Sequence, residues 1–158
     1  MSGMIDFNAD IVSGVSIGGI RLGESISSYL TEMHSFHRTS MTEYKLPDGS
    51  SRFAYTIDGV VTVATLSDGD IFSVGCNSQY RGRYNASLRP GQTMGEVLKL
   101  TERQRIFNGN ILVNEDFGFS FVLPPPYDEV ADSISDIPLG LVLEEVYVSD
   151  FSAGNPSR

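Results

Sequence analysis

Two segments of the chain repeat one pattern of apolar and polar positions. Residues 20–30 are Ile-Arg-Leu-Gly-Glu-Ser-Ile-Ser-Ser-Tyr-Leu, and residues 88–98 are Leu-Arg-Pro-Gly-Gln-Thr-Met-Gly-Glu-Val-Leu. Because these segments lie a constant 68 residues apart, close to half the length of the chain, the pattern predicts an internal repeat. The matched pairs are Arg21 and Arg89, Gly23 and Gly91, Ser25 and Thr93, Ile26 and Met94, and Leu30 and Leu98.

Each copy of the repeat predicts one short amphipathic helix. A glycine ends an extended segment, and a hydroxyl residue two positions later, Ser25 or Thr93, is typical of a helix N-cap. In the second copy, Thr93 and Glu96 also have the Thr-x-x-Glu spacing of a capping box. Residues at helical spacing then form the expected buried faces. These faces are Ile26, Tyr29, Leu30 and Met33 in the first copy, and Met94, Val97, Leu98 and Thr101 in the second.

The stretches after each predicted helix have the composition of strands joined by tight turns. The pairs Asp58-Gly59 and Asn108-Gly109 are strong signals for two-residue hairpin turns. Residues 117–123 alternate as a strand with one buried face does, and the three prolines at 124–126 end that strand. We predict strands at 42–46, 52–57, 60–66, 71–76, 104–107, 110–114, 117–123 and 141–149, with one or two helical turns at 127–134.

These elements predict an α+β fold with a largely antiparallel sheet. A chain of 158 residues has the length of one domain, so we expect a single domain over residues 1–158. It would be built from two helix-plus-β-meander units at about 15–80 and 84–150. We expect the small, polar tail at 151–158 to be flexible.

The net charge of the chain excludes one class of function and suggests another. The sequence has 20 acidic and 11 basic residues, which give a formal net charge of −9. This charge disfavours a protein that binds duplex nucleic acid. Residues 81–114 contain six bases and two acids, whereas residues 115–158 contain nine acids and one base. The C-terminal third is therefore the strongly acidic part of the chain.

The cysteine content and the apolar runs indicate the compartment. Cys76 is the only cysteine, which excludes a disulfide scaffold. The N-terminal residues lack the basic region and the apolar core of a signal peptide. Apolar runs such as 60–64 are far shorter than the roughly 20 residues that a membrane helix needs. We therefore expect a cytoplasmic protein that makes no membrane contact.

Three motifs resemble functional sites, but each is better explained as an ordinary structural feature of the chain. Residues 14–18, Gly-Val-Ser-Ile-Gly, match a nucleophile elbow, but an extended segment follows instead of the required helix. His34 and His37 have a metal-like spacing, but a zinc site needs three or four ligands, so we interpret them as surface histidines at a helix end. Residues 80–84, Tyr-Arg-Gly-Arg-Tyr, could clamp a nucleic-acid strand. We favour instead an exposed loop whose arginines pair with neighbouring carboxylates.

Paired carboxylates do not provide a catalytic site either. Glu144 and Glu145 are adjacent, and adjacent residues of a strand face opposite sides, so they cannot act together as acid and base. We therefore expect no catalytic residue, no metal and no cofactor, and we expect that the protein is not an enzyme.

A compact acidic domain without a catalytic set is most simply a binding protein. A negative surface accelerates association with a basic partner, so we expect a basic protein and no direct contact with nucleic acid. The candidate contacts are the acids of the C-terminal third, where the charge is concentrated. They are Asp128, Glu129, Asp132, Asp136, Glu144 and Glu145.

The repeated segment also resembles a known group of proteins. Residues 17–26 (Ile-Gly-Gly-Ile-Arg-Leu-Gly-Glu-Ser-Ile) and 88–94 (Leu-Arg-Pro-Gly-Gln-Thr-Met) resemble a pattern found in small bacterial immunity proteins. These accompany polymorphic or contact-dependent growth-inhibition toxins. Residues 117–137, with their Leu-Pro-Pro-Pro-Tyr-Asp-Glu core, are similar to stretches of such sequences. The tandem plan is similar to that of beta-lactamase inhibitor proteins and small outer-membrane assembly lipoproteins, although this chain lacks their secretory signal and cysteine pattern.

The resemblance implies an immunity protein, an antitoxin that binds and neutralises a cognate toxin in the bacterial cytoplasm. The expected toxin is a basic nuclease domain, because carboxylates can occupy the positions of phosphates in a nucleic-acid groove. One alternative is another protein-binding module, such as an adaptor or a secretion chaperone. Another is a small enzyme whose catalytic residues follow no familiar motif.

Overall fold

A computed structural model of the protein describes residues 5–152. Its first half contains one helix and a four-strand meander, preceded by two very short strands. In chain order these elements are β1 (Ser16–Ile17), β2 (Ile20–Arg21), α1 (Ser27–Phe36), β3 (Thr39–Lys45), β4 (Ser51–Ile57), β5 (Val61–Thr65) and β6 (Ile71–Asn77). We call α1 to β6 the first unit.

The second half repeats the helix and the four strands with a longer final connection. Its elements are β7 (Gln92–Thr93), α2 (Met94–Leu100), β8 (Gln104–Phe107), β9 (Asn110–Val113), β10 (Phe119–Val122), α3 (Tyr127–Val130), a 3-10 turn (Ile134–Asp136), β11 (Val142–Leu143) and β12 (Glu145–Val148). We call α2 to β12 the second unit.

Eight of these strands form one antiparallel sheet in the order β3-β4-β5-β6-β12-β10-β9-β8. The last strands of the two units, β6 and β12, pair at the centre, and the first strands, β3 and β8, lie at the two edges. At the central pair, Gly75 lies opposite Tyr147. The two units are therefore related by an approximate two-fold rotation that passes through this residue pair. The predicted α+β fold with two helix-plus-meander units is confirmed.

Both long helices pack on one face of the sheet. Tyr29 and Met33 of α1 and Met94 and Val97 of α2 are buried, as their helical spacing predicts. They share one hydrophobic cluster with the strands, in which each fully buried large side chain contributes about 1.5–3 kcal/mol. The strand residues of the cluster include Ile57, Val61, Val63, Val74, Ile111, Phe119, Phe121, Val146 and Val148.

The opposite face of the sheet carries small and polar side chains in a row across its central strands. Directly opposed residues of antiparallel strands share a face. The register therefore aligns Thr56, Thr62, Gly75, Tyr147 and Ser120 on what we call the polar face. A Cβ atom added at Gly75 would lie 2.4 Å from the ring of Tyr147, which shows that this ring covers the glycine.

Local signals in the sequence identify the turns correctly. Asp58-Gly59 has φ values of +54° and +67°, and Asn108-Gly109 has values of +49° and +77°. Positive φ at both residues suits the tight turn that each dipeptide predicts. Phe107 lies opposite Asn110, so the second loop has two residues, whereas Ile57 lies opposite Val61, so the first loop also includes Val60. Both predicted hairpins are confirmed.

The two helices begin in different ways. The predicted capping box of α2 is confirmed, because the Glu96 N–H donates to Thr93 Oγ1 at 3.2 Å. Ile26 is the N-cap of α1 and its side chain accepts no hydrogen bond, so the predicted cap lies one residue too early. Ser25 still contacts the helix start, because its Oγ accepts the Ser27 N–H at 3.3 Å. The Tyr29 N–H donates to the Ile26 carbonyl, three residues back, so α1 opens with a tighter turn that already includes Ile26.

Two strand predictions in the second unit need correction. The predicted strand 141–149 is divided at Glu144, because β11 pairs with β7 in a separate ladder while β12 joins the main sheet. The strand predicted at 117–123 covers Phe119–Val122, and its expected single buried face is wrong at Ser120, which is fully buried beside Tyr147. Of the tail at 151–158, residues 153–158 lie outside the described residues.

Candidate functional site

Three of the six predicted contact acids line one shallow cleft of about 330 Å³. Asp128, Glu144 and Glu145 lie on its rim. The remaining lining residues are apolar: Val122, Leu123, Pro124 and Pro125. We call this the acidic cleft. Val122 is opposed to Glu145 when the β10–β12 register is continued, so the cleft opens on the polar face of the sheet.

The apolar wall of the acidic cleft follows from the proline run. Proline has no N–H to donate to a neighbouring strand, so β10 ends before Pro124. Leu123 is buried, and its N–H donates to the Gly109 carbonyl at 3.0 Å, which fixes the chain where it leaves the sheet. The Tyr127 N–H donates to the Pro124 carbonyl at 3.0 Å and begins α3, which presents Asp128 to solvent.

Glu144 and Glu145 reach the same cleft because of the break between β11 and β12. Leu143 and Val146, on either side, are fully buried and anchor the segment, whereas both glutamates are exposed. The expectation that the two carboxylates face opposite sides assumed a continuous strand. It is wrong here, since both residues line the acidic cleft.

The other three predicted acids lie outside this cleft. Glu129 is exposed on α3. Asp136 has a local structural role, since its Oδ2 accepts the N–H groups of Asp132 and Ser133 at 3.0 and 3.1 Å. Asp132 is itself exposed. The structure thus divides the predicted set into a group of three at the cleft and a group of three along the connection from β10 to β12.

The carboxylates of the acidic cleft take part in none of the ion pairs within residues 5–152. The ion pairs found among residues 5–152 involve other acids: Glu24, Glu32, Glu43, Asp58 and Glu115. No basic side chain lines the cleft. Exposed, unpaired carboxylates beside an apolar wall can accept hydrogen bonds from lysine or arginine while the wall packs against the aliphatic stem of the same residue.

His37 differs from the predicted surface histidine. It is partly buried, with Nδ1 2.6 Å from Asp58 Oδ2 and Nε2 4.0 Å from Glu32 Oε2. The hydrogen bond from His37 lowers the pKa of the Asp58 carboxyl. His34 is exposed as predicted. In the part of the chain that the structure describes, no group of three or more metal-ligating side chains comes together.

The nucleophile-elbow motif lacks the required geometry. Ser16 lies in β1, is largely buried, and is followed by the short strand β2 where a nucleophile elbow needs a helix.

The segment at 80–84 is also arranged differently from the prediction. Tyr80 and Tyr84 are buried, so neither ring can stack on a nucleic-acid base. Tyr80 OH donates to the Ala9 carbonyl at 2.5 Å. Arg81 and Arg83 are exposed, as the predicted loop requires. The expected pairing of these arginines with carboxylates is wrong, because no ion pair within residues 5–152 includes them.

No motif indicates a partly buried polar network that lies beside this segment. Asp116 accepts hydrogen bonds from the Ser13 and Tyr84 hydroxyls and from the Gly118 N–H. Burial and the Asp116 hydrogen bond raise the pKa of Tyr84, whose ring stacks on Phe119 at 4.2 Å. These contacts fix the loop between the two units to the second unit. They join residues far apart in sequence, so no local motif indicates them.

Comparisons with known proteins supply no family for this chain. No protein-family model, no curated protein and no solved structure matches it. Within residues 5–152, the structure contains no helix with the length and apolar character that a membrane span requires.

Proposed function

We propose that this protein is an immunity protein that binds and neutralises a cognate nuclease toxin in the bacterial cytoplasm. The acidic cleft is the observation that carries this proposal. Its three carboxylates, Asp128, Glu144 and Glu145, are exposed beside an apolar wall, and no ion pair within the described residues includes them. This combination suits the lysine and arginine side chains of a basic protein surface.

A nuclease supplies the complementary chemistry. The groove of a nuclease holds phosphates with cationic side chains, and carboxylates of similar spacing can take the positions of those phosphates. Because none of the ion pairs within residues 5–152 involves these carboxylates, none of those pairs has to be broken before such a groove binds. The net charge of −9 also steers a basic partner towards the protein and raises the association rate.

The test is co-expression with the product of the gene immediately upstream, followed by purification and measurement of nuclease activity. We expect a stable complex in which the nuclease is inactive. The single variants Asp128→Lys, Glu144→Lys and Glu145→Lys should each raise the Kd of the complex by about tenfold or more, mainly by slowing association. They should also reduce the dependence of affinity on salt.

Glu102→Lys is the matched control. Glu102 is exposed and lies at the opposite end of β8 from the acidic cleft, and its reversal changes the net charge by the same amount. This variant should retain the affinity of the unaltered protein, and circular dichroism should show all four variants folded. Equal affinities for the cleft variants and Glu102→Lys would reject the cleft as the contact site. A stable complex with an upstream product that is no toxin would favour the adaptor or chaperone alternative.

A further inference from the structure

A second pocket, with the opposite charge, lies in the loop between the two units. Three exposed arginines, Arg81, Arg83 and Arg89, line one open cavity of about 530 Å³ together with Ser78, Gln79 and Tyr80. We call this the arginine pocket. No carboxylate lines it, although the chain as a whole has a net charge of −9.

The backbone that carries these arginines is held firmly. Buried and exposed residues alternate along 80–84, so that Tyr80, Gly82 and Tyr84 point inwards while Arg81 and Arg83 point to solvent. The Arg81 N–H donates to the Phe7 carbonyl, and the Arg83 carbonyl accepts from the Ile11 N–H, both at 2.9 Å.

Two further contacts fix the backbone that carries the arginines. A Cβ atom at Gly82 would lie 1.8 Å from the Ala9 carbonyl oxygen, so only glycine allows this close approach. Arg89 is held between the buried residues Leu88 and Pro90, and its N–H donates to Gln92 Oε1 at 3.0 Å. The arginines are thus placed by a rigid backbone, which reduces the entropy lost when a ligand binds.

The internal repeat shows how Arg89 comes to lack a counter-charge. Its counterpart in the first copy, Arg21, lies 3.6 Å from the carboxylate of Glu24. In the second copy the position of Glu24 is occupied by Gln92, whose amide bonds the backbone instead. No ion pair within residues 5–152 includes Arg81, Arg83 or Arg89.

We propose that the arginine pocket binds a small oligophosphate anion. This site is separate from the acidic cleft and independent of it. Guanidinium groups match phosphate oxygens in bidentate geometry, and three of them suit adjacent phosphate groups better than a single carboxylate. The cavity has the size of a small-ligand site. Because Tyr80 and Tyr84 are buried, no aromatic ring of this segment is available to stack on a base, so the phosphate chain is the recognised feature.

The experiment is calorimetric titration of the free protein, without any toxin, with sodium pyrophosphate at low ionic strength. We expect saturable binding at one site. Arg81→Gln, Arg83→Gln and Arg89→Gln should each weaken this binding by about tenfold or more, because each removes charge-assisted hydrogen bonds. The lysine variants at the same positions should have affinities between those of the glutamine variants and the unaltered protein, since lysine keeps the charge but loses the bidentate geometry.

Arg21→Gln is the matched control, since it changes the same residue type at the equivalent repeat position and should leave binding unchanged. A parallel titration with a nucleoside diphosphate distinguishes the two sources of the phosphates. Affinity equal to that for pyrophosphate would show that the phosphate groups alone are recognised, and much tighter binding would identify a nucleotide as the ligand. Absence of saturable binding, or equal loss in Arg21→Gln, would overturn the proposal. Binding of single-stranded RNA that pyrophosphate does not displace would overturn it as well.

Discussion

The segments that lead into the two units have the same backbone arrangement. Gly23 and Gly91 have φ values of +85° and +96°, in the left-handed region that favours glycine. The Gly23 N–H donates to the Ile71 carbonyl at 2.8 Å, and the Gly91 N–H donates to the Leu143 carbonyl at 2.7 Å. The repeat found in the sequence is therefore a repeat of hydrogen bonding as well as of residue type.

The units differ most in the connection between their third and fourth strands. In the first unit, five residues at 66–70 join β5 to β6. In the second unit, the connection at 123–144 contains α3, a 3-10 turn and β11. Five of the six candidate contact acids lie within this connection, and Glu145 follows it directly. The comparison indicates that a repeated scaffold supplies stability, while the segment that departs from the repeat supplies the acidic cleft.

A second difference concerns a single turn residue. Asp58 and Asn114 both have positive φ, +54° and +52°, and both accept a backbone N–H from the segment that enters the first strand of their unit. Asp58 also pairs with His37. Asn114 cannot form a comparable ion pair, so the same turn is charged in one unit and neutral in the other.

The largest predicted effect tests whether the two helices contribute equally to the core. Met33 and Met94 are both fully buried. Met33→Ala and Met94→Ala should each lower the free energy of unfolding by about 2–5 kcal/mol, since each removes buried methylene groups and leaves a cavity. Because the chain has no tryptophan, urea unfolding would be followed by far-ultraviolet circular dichroism. Met41→Ala, at an exposed methionine, is the control. A loss confined to one helix would show that the units are unequal in the core.

A smaller effect should separate the two helix starts. Thr93→Ala removes the capping box of α2 and should cost about 1 kcal/mol. Ser25→Ala, at the equivalent position, should cost less than about 0.5 kcal/mol, because it removes one long, exposed hydrogen bond from the Ser27 N–H (3.3 Å) and α1 has no capping box. The same unfolding measurement checks both variants. Equal losses would indicate that Ser25 stabilises the start of α1 as strongly as the capping box stabilises α2.

Local signals account for most of what the sequence predicts about the fold. The helix faces follow from apolar spacing, and the turns at Asp58-Gly59 and Asn108-Gly109 follow from their dipeptides. The pairing of β6 with β12 joins residues about half a chain apart, and no local pattern specifies it. No local pattern specifies the break at Glu144 either, since it results from the pairing of β11 with β7.

The candidate site was predictable as a region, although its geometry was not. Charge distribution identifies the acidic C-terminal third, but only the strand break brings Asp128, Glu144 and Glu145 to one cleft. The aligned repeat also contains a signal for the role that we propose for Arg89, since Gln92 occupies the position of Glu24 in the second copy.

The smallest predicted effect concerns acid stability. The hydrogen bond from His37 lowers the pKa of Asp58 in the folded protein. A lowered pKa stabilises the fold at pH above the unfolded value of about 4, and this contribution is lost as pH falls through the folded pKa. The urea midpoint of Asp58→Asn should therefore fall less steeply than that of the unaltered protein as the pH is lowered. We call this falling part of the curve of urea midpoint against pH the acid limb. Asn114→Gln, which introduces no charge, should leave the shape of that limb unchanged. An unaltered limb in Asp58→Asn would show that this pair contributes nothing to acid sensitivity.

The pair at the rotation axis, Gly75 and Tyr147, makes the two halves of the chain complementary. Two copies of the first half would place glycine opposite glycine and leave a gap at the centre of the sheet. Two copies of the second half would force two tyrosine rings into the space that one ring fills. The space is filled correctly only by one residue of each kind. The two halves of the chain are therefore not interchangeable at this position, although they share one arrangement of strands.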